Sequence, residues 1–505
     1  MSSQTLGDAV TEPIYSESEP TPGVVANSAW LMLAQGIIAL VAGGVSIYAI
    51  RNFPTAAWGQ YSTALALVAL FTILSGSGLA PLALREMTSA PRQQAEILGT
   101  AFQALVWTCA PVAIALFATA AVLGYPREVF ELVLVLSPLL FLDPALANLS
   151  AAFNARSRLF SVALFQVAQA VVYGGVAVVV IASSLRVTGL ALATVLGSLL
   201  AVVLGSILLK ARLGLRPRLR QAPRHVWDFF RSAVPIAGIN IVAIVYARVD
   251  IVMLSVLSTS SKVAFYTVPY GLVRLSWLLP SVISAAFFPL LSRTLESDRA
   301  EAQRLFFLVV RVFFFLSIPI SILLALSSPT LLPFVFGDAY SHSVTVLQIM
   351  AWTCVLGFQN YVLWYALLAT HKERAVLLIQ IAGLVVNVSV NAVAIPFYGS
   401  TGAATALLIS DLVVIAGQVV LIHRTLFHIP FADLLTKPAV GAIVVIPIAV
   451  LIATWTAVGG AVTGAVGYAA ILLAFRYVTP EEWRPVTATV RAPFALIRRS
   501  GQPAR

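Results

Sequence analysis

The chain has 505 residues, 60% hydrophobic and only 10% charged, with a mean hydropathy of +0.95. Soluble domains run at about 45–50% apolar and about 25% charged residues. The composition therefore excludes an ordinary water-soluble enzyme, a disordered protein and a nucleic-acid binder, despite a formal net charge of +11.

In chain order, residues 1–23 come first. They hold four acids, no Lys or Arg, and several Ser and Pro, which predicts a disordered tail. Apolar stretches long enough to cross a hydrocarbon core, roughly 20 residues each, then follow at 24–50, 58–84, 97–123, 129–153, 159–184, 187–209, 231–256, 263–291, 305–327, 343–369, 375–395, 400–422, 438–457 and 459–475. The sequence thus predicts an all-α polytopic membrane protein with fourteen transmembrane helices. The first stretch is too long, and too poor in preceding basic residues, for a cleavable signal peptide. A basic stretch at 210–230 divides an N-lobe (24–209) from a C-lobe (231–424). Two more spans occupy 438–477, and a basic tail fills 478–505. Cys109 and Cys354 lie within apolar runs and form no disulfide framework or metal site.

The loops carry the charge unevenly. With the N-terminus placed in the cytoplasm, the inner loops hold 24 Lys and Arg and the outer loops hold 4, namely Arg51, Arg127, Arg186 and Lys262. Such a bias predicts cytoplasmic N- and C-termini and accounts for the positive charge without nucleic acid. Arg248, Arg274 and Arg311 remain inside spans.

The chain also repeats itself. Trp58-Gly59-Gln60-Tyr61 matches Val263-Ala264-Phe265-Tyr266, and Pro81…Arg85 matches Pro289…Arg293. Arg158 matches Arg374, and Phe165-Gln166-Val167-Ala168 matches Ile379-Gln380-Ile381-Ala382. Thr188-Gly189-Leu190-Ala191 matches Thr401-Gly402-Ala403-Ala404. The offsets lie between 205 and 216, and six spans separate the copies. An even number gives parallel lobes related by an axis along the membrane normal, with a substrate cavity between them.

Four patches carry a resemblance to a known family. They are Asn27 and Trp30 with Trp58-Gly59-Gln60-Tyr61 and Gly78-Leu79…Arg85; Pro235…Arg248-Val249-Asp250 with Ala264-Phe265-Tyr266; Phe334-Val335-Phe336-Gly337-Asp338-Ala339-Tyr340; and Asn387…Asn391…Ile395-Pro396-Phe397-Tyr398-Gly399…Gly402-Ala403-Ala404. Over roughly residues 24–425 the chain resembles the Wzx-type polysaccharide flippases of the multidrug/oligosaccharidyl-lipid/polysaccharide exporter superfamily. The resemblance implies two six-helix lobes around a central cavity and two extra helices, in the inner (plasma) membrane of a bacterium. It implies a polyprenyl-pyrophosphate-linked oligosaccharide as cargo, flipped by alternating access. Membrane lipids, and a polysaccharide polymerase with other assembly proteins, would be its partners. No bond is made or broken, so no catalytic residues or cofactor are expected, apart from coupling to H+ or Na+.

A charge deep in a span is costly, about 2.5–3.5 kcal/mol on insertion scales, so the intramembrane charges are the candidate site. Arg274, Arg248 and Arg311 could hold the pyrophosphate, because guanidinium forks suit phosphate oxygens. Asp250 and Asp411 complete the substrate-site candidates, and Asp143 is a candidate for cation coupling. Structural ion pairs, Arg248–Asp411 or Arg274–Asp250, are the competing expectation. Arg248 and Asp250 lie about 200° apart around one helix and cannot both face a central cavity. A peptidoglycan-precursor flippase and a cation-coupled drug exporter of the same fold are alternatives. A polysaccharide polymerase or ligase is a different class, and usually has a larger outer loop than the roughly 17 residues here.

Overall fold

The computed structural model describes residues 22–76, 78–183, 186–219, 221–370 and 372–477; for 22–32, 186, 239, 285 and 286 it describes the backbone alone. Nearly all of the tail expected at 1–23, and the whole tail at 478–505, lie outside the described residues.

The described residues form seventeen α-helices and no strand. In hydrocarbon each backbone N–H and C=O must be satisfied within its own segment, so long apolar runs become helices. The N-lobe comprises α1 (Pro22–Asn52), α2 (Thr55–Gly76), α3 (Leu79–Ser89), α4 (Gln94–Val122), α5 (Arg127–Leu136), α6 (Leu139–Asn154), α7 (Leu159–Ile181) and α8 (Arg186–Leu213). The C-lobe comprises α9 (Pro223–Leu257), α10 (Ser260–Ser276), α11 (Leu278–Ser297), α12 (Arg299–Phe336), α13 (Val344–Ala369), α14 (Glu373–Tyr398) and α15 (Ser400–Thr425). Helices α16 (Phe431–Ala453) and α17 (Ala457–Ala474) form a hairpin packed on α12.

Thirteen segments are long and apolar enough to cross a membrane, and a bent pair, Ser260–Ser284 with Phe287–Ser297, makes a fourteenth. They match the fourteen predicted stretches, and the protein is a multi-pass membrane protein. Three crossings that read as continuous are interrupted. The fourth divides at Ser137-Pro138, between α5 and α6. The second turns at Gly78, just before α3, and the eighth bends by 41° between Ser284 and Phe287. The offset of 208 that relates Pro81 to Pro289 maps the first of this pair onto the second. Interrupted helices at equivalent places in two repeats mark the cavity-forming elements of transporters.

The lobes share one neighbour plan. In the N-lobe α1 packs on α7, α7 on α8, α6 on α8, and α4 on α6. Six spans later α9 packs on α14, α14 on α15, α13 on α15, and α12 on α13. The segment 210–230 is more ordered than a linker reading implies, because α9 starts at Pro223, inside it. Val226, Phe229 and Ala233 of α9 are buried in the N-lobe core beside Leu79, Leu82, Leu98 and Phe153. Ile251 and Leu254, near its other end, are buried in the C-lobe core. One continuous helix therefore belongs to both lobes.

Elsewhere the lobes touch at the end of the bundle that carries few charges. Arg51 Nη2 donates to the Phe334 carbonyl at 2.9 Å, Thr55 Oγ1 to Ser261 Oγ at 3.2 Å, and Thr267 Oγ1 to Ser62 Oγ at 3.4 Å. The Tyr125 and Ser255 hydroxyls meet at 2.7 Å. Helices α2 and α10 cross at Gly59, whose missing Cβ would overlap the Ser260 carbonyl.

Candidate substrate site

Helix depth explains how the intramembrane charges are partnered. At about 1.5 Å per residue, Asp250 lies roughly 10 Å from the end of α9, Tyr266 roughly 9 Å into α10, and Asn391 roughly 10 Å from the end of α14. All three helix ends are on the charge-poor side, and the three side chains meet. Tyr266 Oη donates to Asp250 Oδ2 at 2.7 Å and Asn391 Nδ2 to Asp250 Oδ1 at 2.7 Å. Asp250 is 3% exposed. This corrects its expected place in the cavity wall, since it is sealed between α9, α10 and α14.

The polar chain continues inward. Asn391 Nδ2 also donates to Asn387 Oδ1 at 2.9 Å, and Asn387 Nδ2 to Ser410 Oγ at 3.2 Å. Tyr246 Oη donates to Asp411 Oδ1 at 2.7 Å and to Ser410 Oγ at 3.0 Å. Asn387, Asn391 and Ser410 are fully buried, and burial without such partners would cost about 1–3 kcal/mol per group. Among the described residues, Asn391 Oδ1 receives no donor.

Neither expected ion pair forms. The carboxylates of Asp250 and Asp411 are held by hydroxyl and amide donors, and Arg248 and Arg274 pair with no acid among the described residues. Instead the two guanidinium groups lie within electrostatic reach of each other and of Tyr270. Arg274 is exposed and Arg248 half-buried. Arg311 is elsewhere, half-buried on α12, where its Nε donates to the Phe307 carbonyl at 3.4 Å and Tyr477 is in electrostatic reach. It does not join the Arg248–Arg274 pair. In the N-lobe, exposed Asp143 accepts from Ser198 Oγ at 3.1 Å, and Ser198 Oγ accepts from Gln169 Nε2 at 2.9 Å.

A cavity of about 480 Å³ opens within the C-lobe beside the arginine pair. Single helix faces line it: Asn240, Ala243 and Ala247 of α9; Gly357, Asn360, Tyr361 and Trp364 of α13; Glu373, Val376, Leu377 and Gln380 of α14; Leu407, Asp411, Val414 and Ile415 of α15. Spacings of three, four and seven residues put each set on one side of its helix. Tyr246, Tyr270 and Trp277 close the wall. Arg248 follows the lining residue Ala247, and Arg274 lies between Tyr270 and Trp277. Of the charged candidates read from the sequence, Asp411 alone lines this cavity among the described residues, and the amides of Asn240 and Gln380, which the sequence offers as partners for sugar hydroxyls, line it too. The aromatic lining and Asn360 were missed, though Gly357, Asn360, Tyr361 and Trp364 show the helical periodicity of one polar face in span ten.

Comparison with known proteins places this geometry. Among solved structures, the chain resembles a lipid II flippase, MurJ, in an inward closed conformation, with a TM-score of 0.73 and 12% identity over 88% of this chain and 98% of that one. It also resembles an inward-facing multidrug resistance MATE family transporter of the MOP superfamily, with a TM-score of 0.64 and 13% identity over 80% of this chain and 98% of that one. An outward-facing MATE transporter of that superfamily gives a TM-score of 0.57 and 15% identity, covering 81% and 96%. At these identities the likeness shows the fold, which is that of a MurJ- and MATE-like transporter. No curated protein matches the chain by sequence. The polysaccharide biosynthesis protein model matches residues 53–345, more than half of the chain, and the protein belongs to that family of exporter-type membrane proteins.

Proposed function

We propose that the protein flips a polyprenyl-pyrophosphate-linked oligosaccharide from the cytoplasmic to the outer leaflet of a bacterial inner membrane, for surface or exopolysaccharide synthesis. The observation that carries this reading is the Arg248–Arg274 pair. Two guanidinium groups with no acid partner among the described residues are tolerated deep in a bundle where water or an anion meets them, and their forks match a pyrophosphate. The 24:4 loop bias orients the basic end, with both termini, toward the cytoplasm. The head group then enters from that side, while the lobe contacts at the charge-poor end close the far side and the polyprenyl tail stays in lipid. Parting of those contacts would release the head to the outer leaflet, where a polymerase and other assembly proteins would take it up.

The chemistry is transport rather than bond making. A proton or Na+ would drive it, loading at the Asp250–Asn391 end of the polar chain, where an amide oxygen receives no donor among the described residues, or at Asp143. A peptidoglycan precursor is the alternative cargo, since it too is a lipid-linked pyrophosphate.

Arg274→Ala tests the reading. Flipping of a fluorescent lipid-linked saccharide in proteoliposomes should fall to background, with membrane abundance unchanged. Arg274→Lys should restore it in part, because an ammonium keeps the charge but loses the fork. Wild-type flipping by a stable Arg274→Ala protein would overturn the reading.

A further inference from the structure

The C-lobe cavity has a chemistry different from that of the arginine pair beside it. Its walls hold five aromatic side chains, Tyr246, Tyr270, Trp277, Tyr361 and Trp364. The polar lining groups are the amides of Asn240, Asn360 and Gln380 and the carboxylates of Glu373 and Asp411, with no Lys or Arg among the described residues. Its volume of about 480 Å³ falls within the roughly 300–1,000 Å³ typical of small-molecule sites. Such a lining suits phosphate less well than the arginine pair does, because its carboxylates repel phosphate and the two arginines lie beside the wall rather than on it among the described residues.

It is a good host for a sugar ring. The C–H faces of a pyranose lie flat on aromatic rings, and its hydroxyls donate to carboxylates and exchange hydrogen bonds with amides. The donors and acceptors converge from separate helices: Asn360 from α13, Glu373 and Gln380 from α14, and Asp411 from α15. Along α14, Glu373 and Gln380 are seven residues apart, about 10 Å, so the cavity is deeper than one ring is wide. The Trp277 indole nitrogen is buried, has no partner among the described residues, and lies against Gly357, where an added Cβ would approach it to 2.5 Å.

We propose that this cavity is the subsite for the sugar nearest the pyrophosphate, and that it selects rings without a negative charge. The proposal rests on the flippase reading above, with the pyrophosphate on Arg248 and Arg274. A uronic acid would add a third carboxylate to a wall that already carries two. Neutral and amino sugars meet no such repulsion. The cavity is thus a specificity device: the arginine pair accepts any polyprenyl diphosphate, and the aromatic wall decides which saccharide travels.

The test measures equilibrium binding to the full chain in lipid nanodiscs with three probes. These are geranylgeranyl diphosphate, the same lipid carrying N-acetylglucosamine, and the same lipid carrying glucuronic acid. Wild-type protein should bind the N-acetylglucosamine lipid roughly ten-fold more tightly than the bare diphosphate, and the glucuronic acid lipid no more tightly than the bare diphosphate. Trp364→Leu should erase the N-acetylglucosamine gain and leave bare-diphosphate binding unchanged. Glu373→Gln should improve glucuronic acid binding selectively. It also covers the case in which Trp364→Leu fails to fold, as judged by elution and melting.

Equal wild-type binding of the bare and N-acetylglucosamine lipids, or an equal loss of both in Trp364→Leu, overturns the subsite and leaves the flippase reading standing. Ethidium binding that Trp364→Leu abolishes, with the sugar gain untouched, assigns the cavity to organic cations and overturns it too. Failure of all three lipids to bind overturns the flippase reading and the subsite with it.

Discussion

Gly59 offers a direct test of how the lobes meet. Its Cα faces the Ser260 carbonyl so closely that a methyl group there would overlap backbone rather than a movable side chain. Neighbouring contacts, Thr55 to Ser261 and Ser62 to Thr267, leave little slack. Gly59→Ala therefore penalises the state in which the charge-poor end is closed and leaves the parted state untouched. Overpacking by one methyl costs about 1–3 kcal/mol, which shifts a two-state equilibrium by about 5- to 150-fold. The shift is complete because the penalty acts on one state only. The assay is pulsed electron–electron double resonance on the full chain in nanodiscs. Spin labels would sit at Val122→Cys and Tyr398→Cys, exposed helix ends on opposite lobes at that side, with Cys109 and Cys354 replaced by Ala. The wild-type sequence should give mainly the short distance, and Gly59→Ala should add a longer one whose share rises by the factor above. An unchanged distance distribution from a stably folded Gly59→Ala protein would refute the close approach of α2 and α10.

Other expectations follow from the same contacts. Asp250→Ala strips acceptors from Tyr266 Oη and Asn391 Nδ2, both buried; at about 1–3 kcal/mol per orphaned group, the melting temperature should fall well below that of Asp250→Asn, as read by thermal unfolding in detergent. Pro235→Ala adds a backbone donor within α9, between its N-lobe and C-lobe anchors; it should slow flipping in proteoliposomes without loss of folded protein. Reporter fusions at Arg216 and Arg499 should both read cytoplasmic, and an outside signal at either would remove at least one span.

The fold was legible because each crossing needs its own apolar run. The repeat was legible because paired motifs such as Pro81…Arg85 and Pro289…Arg293 kept their spacing. The interruptions were not. Ser75, Gly76, Ser77 and Gly78 are helix-weakening residues, but a count of apolar residues over a whole span passes over them. The charged residues were found and their partners were not, since a partner across spans depends on depth and rotation together. Arg274 lies roughly 21 Å into α10 at about 1.5 Å per residue, some 11 Å deeper than Asp250, so a pair between them was never within reach. Arg248 and Asp411 are at similar depth. But Tyr246, about 200° from Arg248 around α9, takes the face toward α15, and Arg248 is left toward α10.

That rotation gives α9 its place in the molecule. Its first turns, through Val226, Phe229 and Ala233, are buried in the N-lobe. Its later turns present Asn240, Tyr246 and Ala247 to the C-lobe cavity, Arg248 toward Arg274, and Asp250 to the buried polar chain. A rocking of the lobes that parts Gly59 from Ser260 must also move Ala233 relative to Ile251. The segment between them contains Pro235, which has no N–H to give, and Gly238, with nothing within 4 Å of where a Cβ would stand. Bending there is cheap, whereas bending beyond Tyr246 would break the hydrogen bonds that hold Asp411 and Asp250. On the proposed function, the helix that would read the head group is thus the same helix that must deform for the lobes to exchange sides, which would join occupancy of the site and the position of the lobes mechanically through one chain of backbone.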